Sequence, residues 1–504
     1  MGGTGFYPTA LSNFRIPFII GIASIIGIYF FDRSAIYYLS NILKKDYSKF
    51  IFIFYLIAYL KVAFLHYFSF SLSPDFSFTD YFVRNIQNGY FQECVVLNRC
   101  MMYTDHTPLF LFLLHPFHYL FNSQIFFLVI HPLVIWSSAF PLILIMRHYR
   151  FTNLYQLLLL LMFFNFPYLS QLLNFDFHFE VFFVPTLLWS FYFFEIRKWW
   201  AYILFAILFM SVKEDGPIYM AFIALAQFFC IKDKSHPRWL WSSLLLFLLS
   251  IIAFFLLTNV LMPWTQHDQQ AKIMGHISKY GRSTAEIVSG IITHLPEVIW
   301  GYITGKWLNI CLYFLFAPFL LPFFWIASFP FALITSTSSS ALIYKVMLYY
   351  SAPFIPVIFY SFILLLANFR GKSWAFYLLV GAFVLTHTFG GGYFTYRRPM
   401  VNYFDFLEIM KEVQYSETVL IQPHLFAYFP YQQKKVMLLS DNQSAWKSAK
   451  YIMINPTLPA DTFTLDSFSK LQDLWNKSSD FTRKEKGGFI LYTRRAPRIT
   501  HQIL

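Results

Sequence analysis

Long apolar runs separated by short charged loops limit this chain more than any other feature. Most of the runs are 16 to 25 residues long, and they recur from residue 14 to residue 390. An α-helix needs about 20 apolar residues to cross a ~30 Å hydrocarbon core. Lipid offers backbone N–H and C=O groups no partner, so the spanning segments must satisfy their own hydrogen bonds. The pattern predicts an all-α polytopic membrane domain with segments near 14–31, 50–71, 122–146, 153–173, 181–196, 199–213, 216–231, 239–262, 306–317, 318–334, 351–368 and 374–390. The pair at 306–334 reads either as a tight hairpin broken at Pro318 and Pro322 or as one kinked span, and about 11–13 helices are expected in all. Composition agrees, with 12% charged residues and 58% hydrophobic ones, where a soluble domain carries about 25% charged residues.

Topology accounts for the basic balance. The net charge of +13 would point to nucleic acid in a soluble domain. Here the loops 32–49, 147–150, 195–198, 232–238 and 369–372 hold 13 Lys/Arg and four Asp/Glu. The alternate loops, 72–107, 174–180, 213–215, 263–305 and 335–350, hold seven Lys/Arg and 11 Asp/Glu. Basic loops stay cytoplasmic, so the acid-rich set is expected outside, and no nucleic-acid partner follows. Lys61, inside segment 50–71, is expected to snorkel to the outer interface.

Three parts follow. Residues 1–49 read as an extra N-terminal helix with a basic cytoplasmic loop, and 50–390 as the membrane domain with its first outer loop at 72–107. Residues 391–504 hold 25 of the chain's 63 charged groups. Strand-like runs at Thr418–Gln422, Lys435–Leu439 and Gly488–Thr493 predict a small α/β extracytoplasmic domain there. Cys94 and Cys100 share one loop and either pair or stay free; with Cys230 and Cys311 they show no metal-ligand spacing. Leu11–Phe31 lacks a basic n-region and a small-residue cleavage site, so no cleavable signal peptide is expected.

Ionisable groups beside apolar runs are the candidates for chemistry, since each costs about 2.5–3.5 kcal/mol at membrane depth on insertion scales. Asn174–Glu180 places Asp176, His178 and Glu180 between two apolar runs. A helix would put Asp176 and Glu180 on one face; an extended chain would point all three the same way. Either geometry converges acids, which raises one carboxyl pKa or recruits a cation. Lys213-Glu214-Asp215 joins two further runs, as a plain turn or as a site in which Lys213 pairs with Asp176 or Glu180 or holds a phosphate. The first outer loop carries Asp75 and Asp80, then Asp105-His106-Thr107-Pro108, where helix capping competes with acid–base chemistry. Arg282, in the 263–305 loop, is a solvated residue or a phosphate contact.

In this order the motifs resemble an uncharacterised prokaryotic membrane-protein family, domain of unknown function 2079. Its first-loop pattern is matched by Asp75, Asp80 and Gly89, and its Asp-His-x-Ser-Pro motif by Asp105-His106-Thr107-Pro108, one residue short. Its Asp-Phe-His-x-Glu and Lys-Glu-Asp motifs stand at Asp176–Glu180 and Lys213–Asp215, and Tyr349–Pro353 is similar to a later Tyr-rich stretch. Phe76-Ser77 replaces the family's Leu-Gly, and Tyr81 stands where Gln is usual. That family is similar in architecture to the GT-C superfamily of membrane glycosyltransferases, which place a catalytic acid in the first outer loop and use polyprenyl-phosphate sugars.

The resemblance implies a multi-pass protein of the prokaryotic cytoplasmic membrane. It implies transfer of a sugar from a polyprenyl-phosphate donor to a glycan, lipid or protein acceptor at the outer face. An acceptor hydroxyl needs a carboxylate base and a departing phosphate needs positive charge. The expected base is Asp75, then Asp80. Lys213 and Arg282 would face the donor phosphate, supported by Glu214 and Asp215. Asp105, His106, Asp176, His178 and Glu180 would bind or orient the acceptor, with Asp176, His178 and Glu180 the candidate ligands of a divalent cation such as Mg or Mn. The alternatives are a transporter or lipid flippase that uses the acids as coupling-ion or substrate sites, and a non-catalytic assembly protein. Transporters often show pseudo-symmetric halves, and this chain shows no internal repeat.

Overall fold

The computed structural model describes residues 48–73, 76, 79–80, 82–83, 106, 108–121, 125–230, 237–262, 278–281, 284–346, 348–389, 403–429, 436–439, 448–458 and 465–495. The helix expected at 14–31, Asp75, Cys94, Cys100, Asp105 and Arg282 lie outside the described residues. Three described helices are long and apolar enough to cross a membrane: Lys49–Phe68, Ile125–His148 and Trp239–Leu261. Asn153–Phe164 and Pro167–Asn174, bent by 44°, make a fourth if counted as one span. Five further apolar helices are shorter, at 10–17 residues: Trp199–Met210, Gly216–Cys230, Pro322–Thr337, Phe354–Asn368 and Ser373–Phe389. Among the described residues, then, three or four helices reach full spanning length, and five shorter apolar helices accompany them. The five shorter helices coincide with the runs read at 199–213, 216–231, 318–334, 351–368 and 374–390.

The bent span shows how such a break is satisfied. Proline at 167 cannot donate to the preceding turn, and Phe166 is extended at φ −63°, ψ 123°. The Asn165 amide donates to the Leu161 carbonyl at 3.0 Å and to the Tyr55 hydroxyl, while the Tyr59 hydroxyl donates to the Phe164 carbonyl at 2.8 Å. The Phe164 carbonyl thus finds a side-chain donor, which backbone at membrane depth requires. At 306–334 the chain forms neither a simple hairpin nor a continuous kinked helix. Leu308–Leu312 is one short helix, Leu315 and Phe316 turn at φ 53° and 56°, and Pro322–Thr337 is the long arm. The break precedes both prolines.

The C-terminal region folds around a five-stranded sheet: β1 Val419–Ile421, β2 Val436–Leu438, β3 Tyr451–Ile454, β4 Phe481–Lys486 and β5 Phe489–Arg494, in the order β2-β1-β3-β5-β4. β1 runs parallel to β2 and β3, and β5 runs antiparallel to β3 and β4. Alternation along the strands gives the sheet two apolar faces. Leu420, Ile452, Ile454 and Tyr492 pack with Phe468 and Trp475 of the helix Leu465–Lys477. Val419, Ile421, Met453 and Leu491 instead join the core of the helical domain.

That second face docks on the end of the first span. Phe70 packs against Tyr428, with ring centres 4.3 Å apart and planes tilted by 36°, and lies near Phe406 and Phe489. The Tyr428 hydroxyl donates to the Tyr67 carbonyl at 2.8 Å, and His424 Nδ1 lies 2.9 Å from the Leu72 carbonyl, which makes that nitrogen the donor. Both residues belong to the 3-10 turn Pro423–Tyr428 that follows β1. The start of the first loop is therefore held by the C-terminal domain.

Candidate functional site

Two loops that follow helix ends build the site. Beyond Asn174 the chain is extended at Phe175 and at His178, with φ −80°, ψ 148° and φ −135°, ψ 141°. Phe179–Phe182 then winds into a 3-10 turn before the helix Phe183–Glu195. This change of conformation separates the acids. The Ser73 backbone N–H donates to Asp176 Oδ2, whereas Glu180 turns the other way to meet Lys213 and His178.

Lys213-Glu214-Asp215 is a tight turn between Trp199–Ser211 and Gly216–Cys230, closed by Gly216 N–H to the Lys213 carbonyl at 2.9 Å. It is also buried: Lys213, Glu214 and Asp215 are 6%, 0% and 8% exposed. A Cβ on residue 216 would sit 2.9 Å from the Phe209 carbonyl oxygen, so glycine lets the two helices meet closely enough to close the turn. The turn and site readings of this triplet are compatible.

Burial of charges is tolerated only where each is paired and hydrogen-bonded. Lys213 Nζ donates to Glu180 Oε1 at 2.9 Å and lies 5.6 Å from the centre of the Tyr350 ring. The other Glu180 oxygen pairs with His178 Nδ1, and the His178 ring stacks on Tyr349 at 3.8 Å with 7° between planes. His106 Nδ1 meets Glu214 Oε1 at 2.8 Å, and its ring is edge-on to Phe179. The Tyr219 hydroxyl one helical turn on helps to favour the ionised Asp215, while Asp215 Oδ1 makes no hydrogen bond among the described residues.

The loop charges tune one another. Burial pulls the Lys213 ammonium down, but the nearby Asp215 and Glu214, with Tyr350 and Tyr349, outweigh it and hold the pKa above the usual lysine value. Burial pushes Glu214 up, and His106 and Lys213 overcome it, leaving the carboxyl below its ordinary range. For Asp215, burial dominates; Lys213 opposes it and Glu214 adds to it, and the carboxyl rises to about 6. Adjacent carboxyls are thus pushed in opposite directions.

These groups line one narrow cleft. His106, Glu180, Lys213, Glu214, Asp215 and Tyr219 form its polar side; Phe331 and Ile334 of Pro322–Thr337, with Ile343, form an apolar wall. Asp176, His178 and Glu180 do not converge as a metal site. Among the described residues no group of three or more His, Cys, Asp or Glu side chains is placed to hold an ion. Both Glu180 oxygens are engaged, by Lys213 and His178.

A family model for predicted membrane proteins, DUF2079, matches residues 89–487. The chain belongs to the DUF2079 family. No curated protein matches this DUF2079 chain. Its fold is similar to the crystal structure of ArnT from Cupriavidus metallidurans in the apo state, with a TM-score of 0.50 and 12% identity over 89% of this chain and 98% of that one. The family match starts after Asp75 and Asp80. Asp80 is buried at 2% exposure and stands outside the lining of the cleft.

Of the residues singled out in the sequence of this DUF2079 protein, the structure brings together His106, His178, Glu180, Lys213, Glu214 and Asp215. Asp176 is tied instead to the backbone at Ser73. Sequence reasoning assigned no site role to Tyr219, Tyr349 or Tyr350. Tyr219 had a readable signal, since it lies four residues after Asp215 where a helix begins. Nothing local marked His424 or Tyr428, whose partners lie 352 and 361 residues away.

Proposed function

We propose that this protein is a GT-C-like membrane transferase that moves a sugar from a polyprenyl-phosphate-linked donor to an acceptor at the outer face of the prokaryotic cytoplasmic membrane. The observation that carries the reading is one cleft with a buried, paired lysine on one side and an apolar wall on the other. Such a cleft suits a phosphate that carries a long hydrocarbon: the head group meets Lys213, and the chain lies along Phe331 and Ile334. The fold likeness to ArnT is in keeping with the architecture this reading needs.

Each residue role follows from that geometry or from the family resemblance. Glu180, braced by His178 and Tyr349, fixes the Lys213 ammonium, and a preorganised cation stabilises charge that builds on a leaving phosphate. Arg282 is proposed as a second phosphate contact. Asp75 is proposed as the base that takes the acceptor proton, with Asp80 second. Asp176 holds the stem of the same loop through Ser73. The test is substitution of Lys213→Met and Asp75→Asn, with lipid-linked and surface glycans measured by mass spectrometry. Loss of one glycosylated species in both variants is expected. Unchanged glycans in protein that is still folded and inserted would refute the reading.

A further inference from the structure

A charge inventory of the cleft exposes a difficulty for any anion that enters it. Its lining carries three carboxylates, Glu180, Glu214 and Asp215, against one permanent cation, Lys213. Two of the acids have close basic partners: Glu180 has Lys213 at 2.9 Å, and Glu214 has His106 at 2.8 Å. Asp215 has no ion pair of its own among the described residues. Asp215 lines the cleft beside the neutral Tyr219, and its Oδ1 is buried and makes no hydrogen bond among them. The other titratable groups of the cleft are Tyr349 and Tyr350, which bring no positive charge.

We propose that Asp215 is protonated when a phosphate group occupies the cleft, and that it passes this proton to the phosphate oxygen from which the sugar departs. The inference rests on the lipid-phosphate reading above. As the bond between the sugar's anomeric carbon and the phosphate oxygen breaks, the electron pair stays on that oxygen and the Asp215 proton moves to it. The acceptor hydroxyl oxygen bonds to the anomeric carbon, and its proton leaves to solvent. Asp215 ends ionised beside Lys213, and exchange with solvent resets it. No other reactant is needed.

The chemistry matches the environment of the residue. The product, a phosphate monoester, has a second pKa of about 6, close to the value to which burial and Glu214 raise Asp215. Matched acids share a proton with the least cost in either direction. Splitting two neighbouring carboxyls into one always-ionised and one protonatable group assigns them different work. Glu214, held by His106, stays charged and keeps Lys213 charged; Asp215 carries the mobile proton.

The experiment uses the full-length protein in nanodiscs of zwitterionic lipid and a dialkyl phosphate as probe, because its single charge does not change between pH 5 and 8. Wild-type affinity should fall about tenfold for each pH unit above the Asp215 value, as the competent fraction falls. Asp215→Asn should bind as tightly at pH 8 as wild type does at pH 5, and Lys213→Met should bind weakly at every pH. A wild-type pH slope in Asp215→Asn overturns the inference and leaves the lipid-phosphate reading standing. Tight binding by Lys213→Met overturns that reading instead. Infrared spectra of wild-type protein with labelled aspartate give a readout independent of any variant's folding. A buried carboxylic-acid band that converts to carboxylate between pH 5 and 8 is expected, and its absence overturns the inference.

Discussion

Replacing Lys213 by methionine isolates the buried ion pair on which the site is built. Methionine keeps an unbranched apolar stem and removes the charge. Lys213 and Glu180 are 2.9 Å apart, with side chains 7% and 3% exposed. At an effective dielectric of about 20 their attraction is on the order of 6 kcal/mol. Most of that offsets the cost of taking both ions out of water, so the pair adds little net stability compared with an apolar pair. Breaking it from one side is different, because Glu180, and Glu214 and Asp215 beside it, then lack their cation. The expected loss is about 3–5 kcal/mol. The double variant Lys213→Met/Glu180→Gln should recover more than half of this. The free energies are read from SDS-induced unfolding of the purified full-length protein at pH 7.5, followed by tryptophan fluorescence, across all four members of the cycle. A loss below about 1 kcal/mol for Lys213→Met, or additive single effects, would show that the pair is hydrated and would refute the argument from burial.

Other expectations can be checked with the same preparation. Asp215 has a raised pKa, so the native state holds a proton that the unfolded chain releases, and stability falls as pH rises from the ordinary aspartate value to about 6. Asp215→Asn should therefore be more stable than wild type at pH 8, by at most about 3 kcal/mol, with the difference gone near pH 4; equal unfolding curves at pH 8 would contradict this. Gly216→Ala would place a methyl 2.9 Å from the Phe209 carbonyl oxygen and should cost about 1–3 kcal/mol by overpacking. A neutral result would mean that the two helices can part without loss. Tyr428→Phe removes the hydrogen bond to the Tyr67 carbonyl and should cost about 1 kcal/mol. It should also speed proteolysis within the C-terminal domain, and unchanged cleavage rates would deny the seam a role in holding that domain.

Periodicity and local charge made much of this legible. The runs at 50–71, 122–146 and 153–173 correspond to Lys49–Phe68, Ile125–His148 and the bent pair, because an apolar run of that length has few other solutions. The runs at Thr418–Gln422, Lys435–Leu439 and Gly488–Thr493 contain β1, β2 and most of β5. β3 and β4 were missed for different reasons: Tyr451–Ile454 is a short, wholly buried run, and Phe481–Lys486 is mainly charged and exposed. Their pairing with β5 is what makes them strands. In the site, the Lys-Glu-Asp triplet was visible because charges interrupt apolar sequence. Which acid meets Lys213 depended on the chain changing from extended to 3-10 between His178 and Glu180, a conformational switch with no signature in residue spacing. Contacts such as Ser73 with Asp176, 103 residues apart, belong to tertiary packing alone.

The seam between the sheet and the first span bears on how the protein is made. Tyr67 and Leu72 leave the ribosome more than 350 residues before Tyr428 and His424, their partners. Until then Phe70, fully buried in the finished fold, has no aromatic bed, and the Leu72 carbonyl lacks its imidazole donor. The stem of the first loop is therefore completed only after the sheet that holds it has been made. A chain that ends at residue 390 would lose not only a domain but also the packing that shapes the approach to Asp176, so such a truncation reports on folding and on function at once.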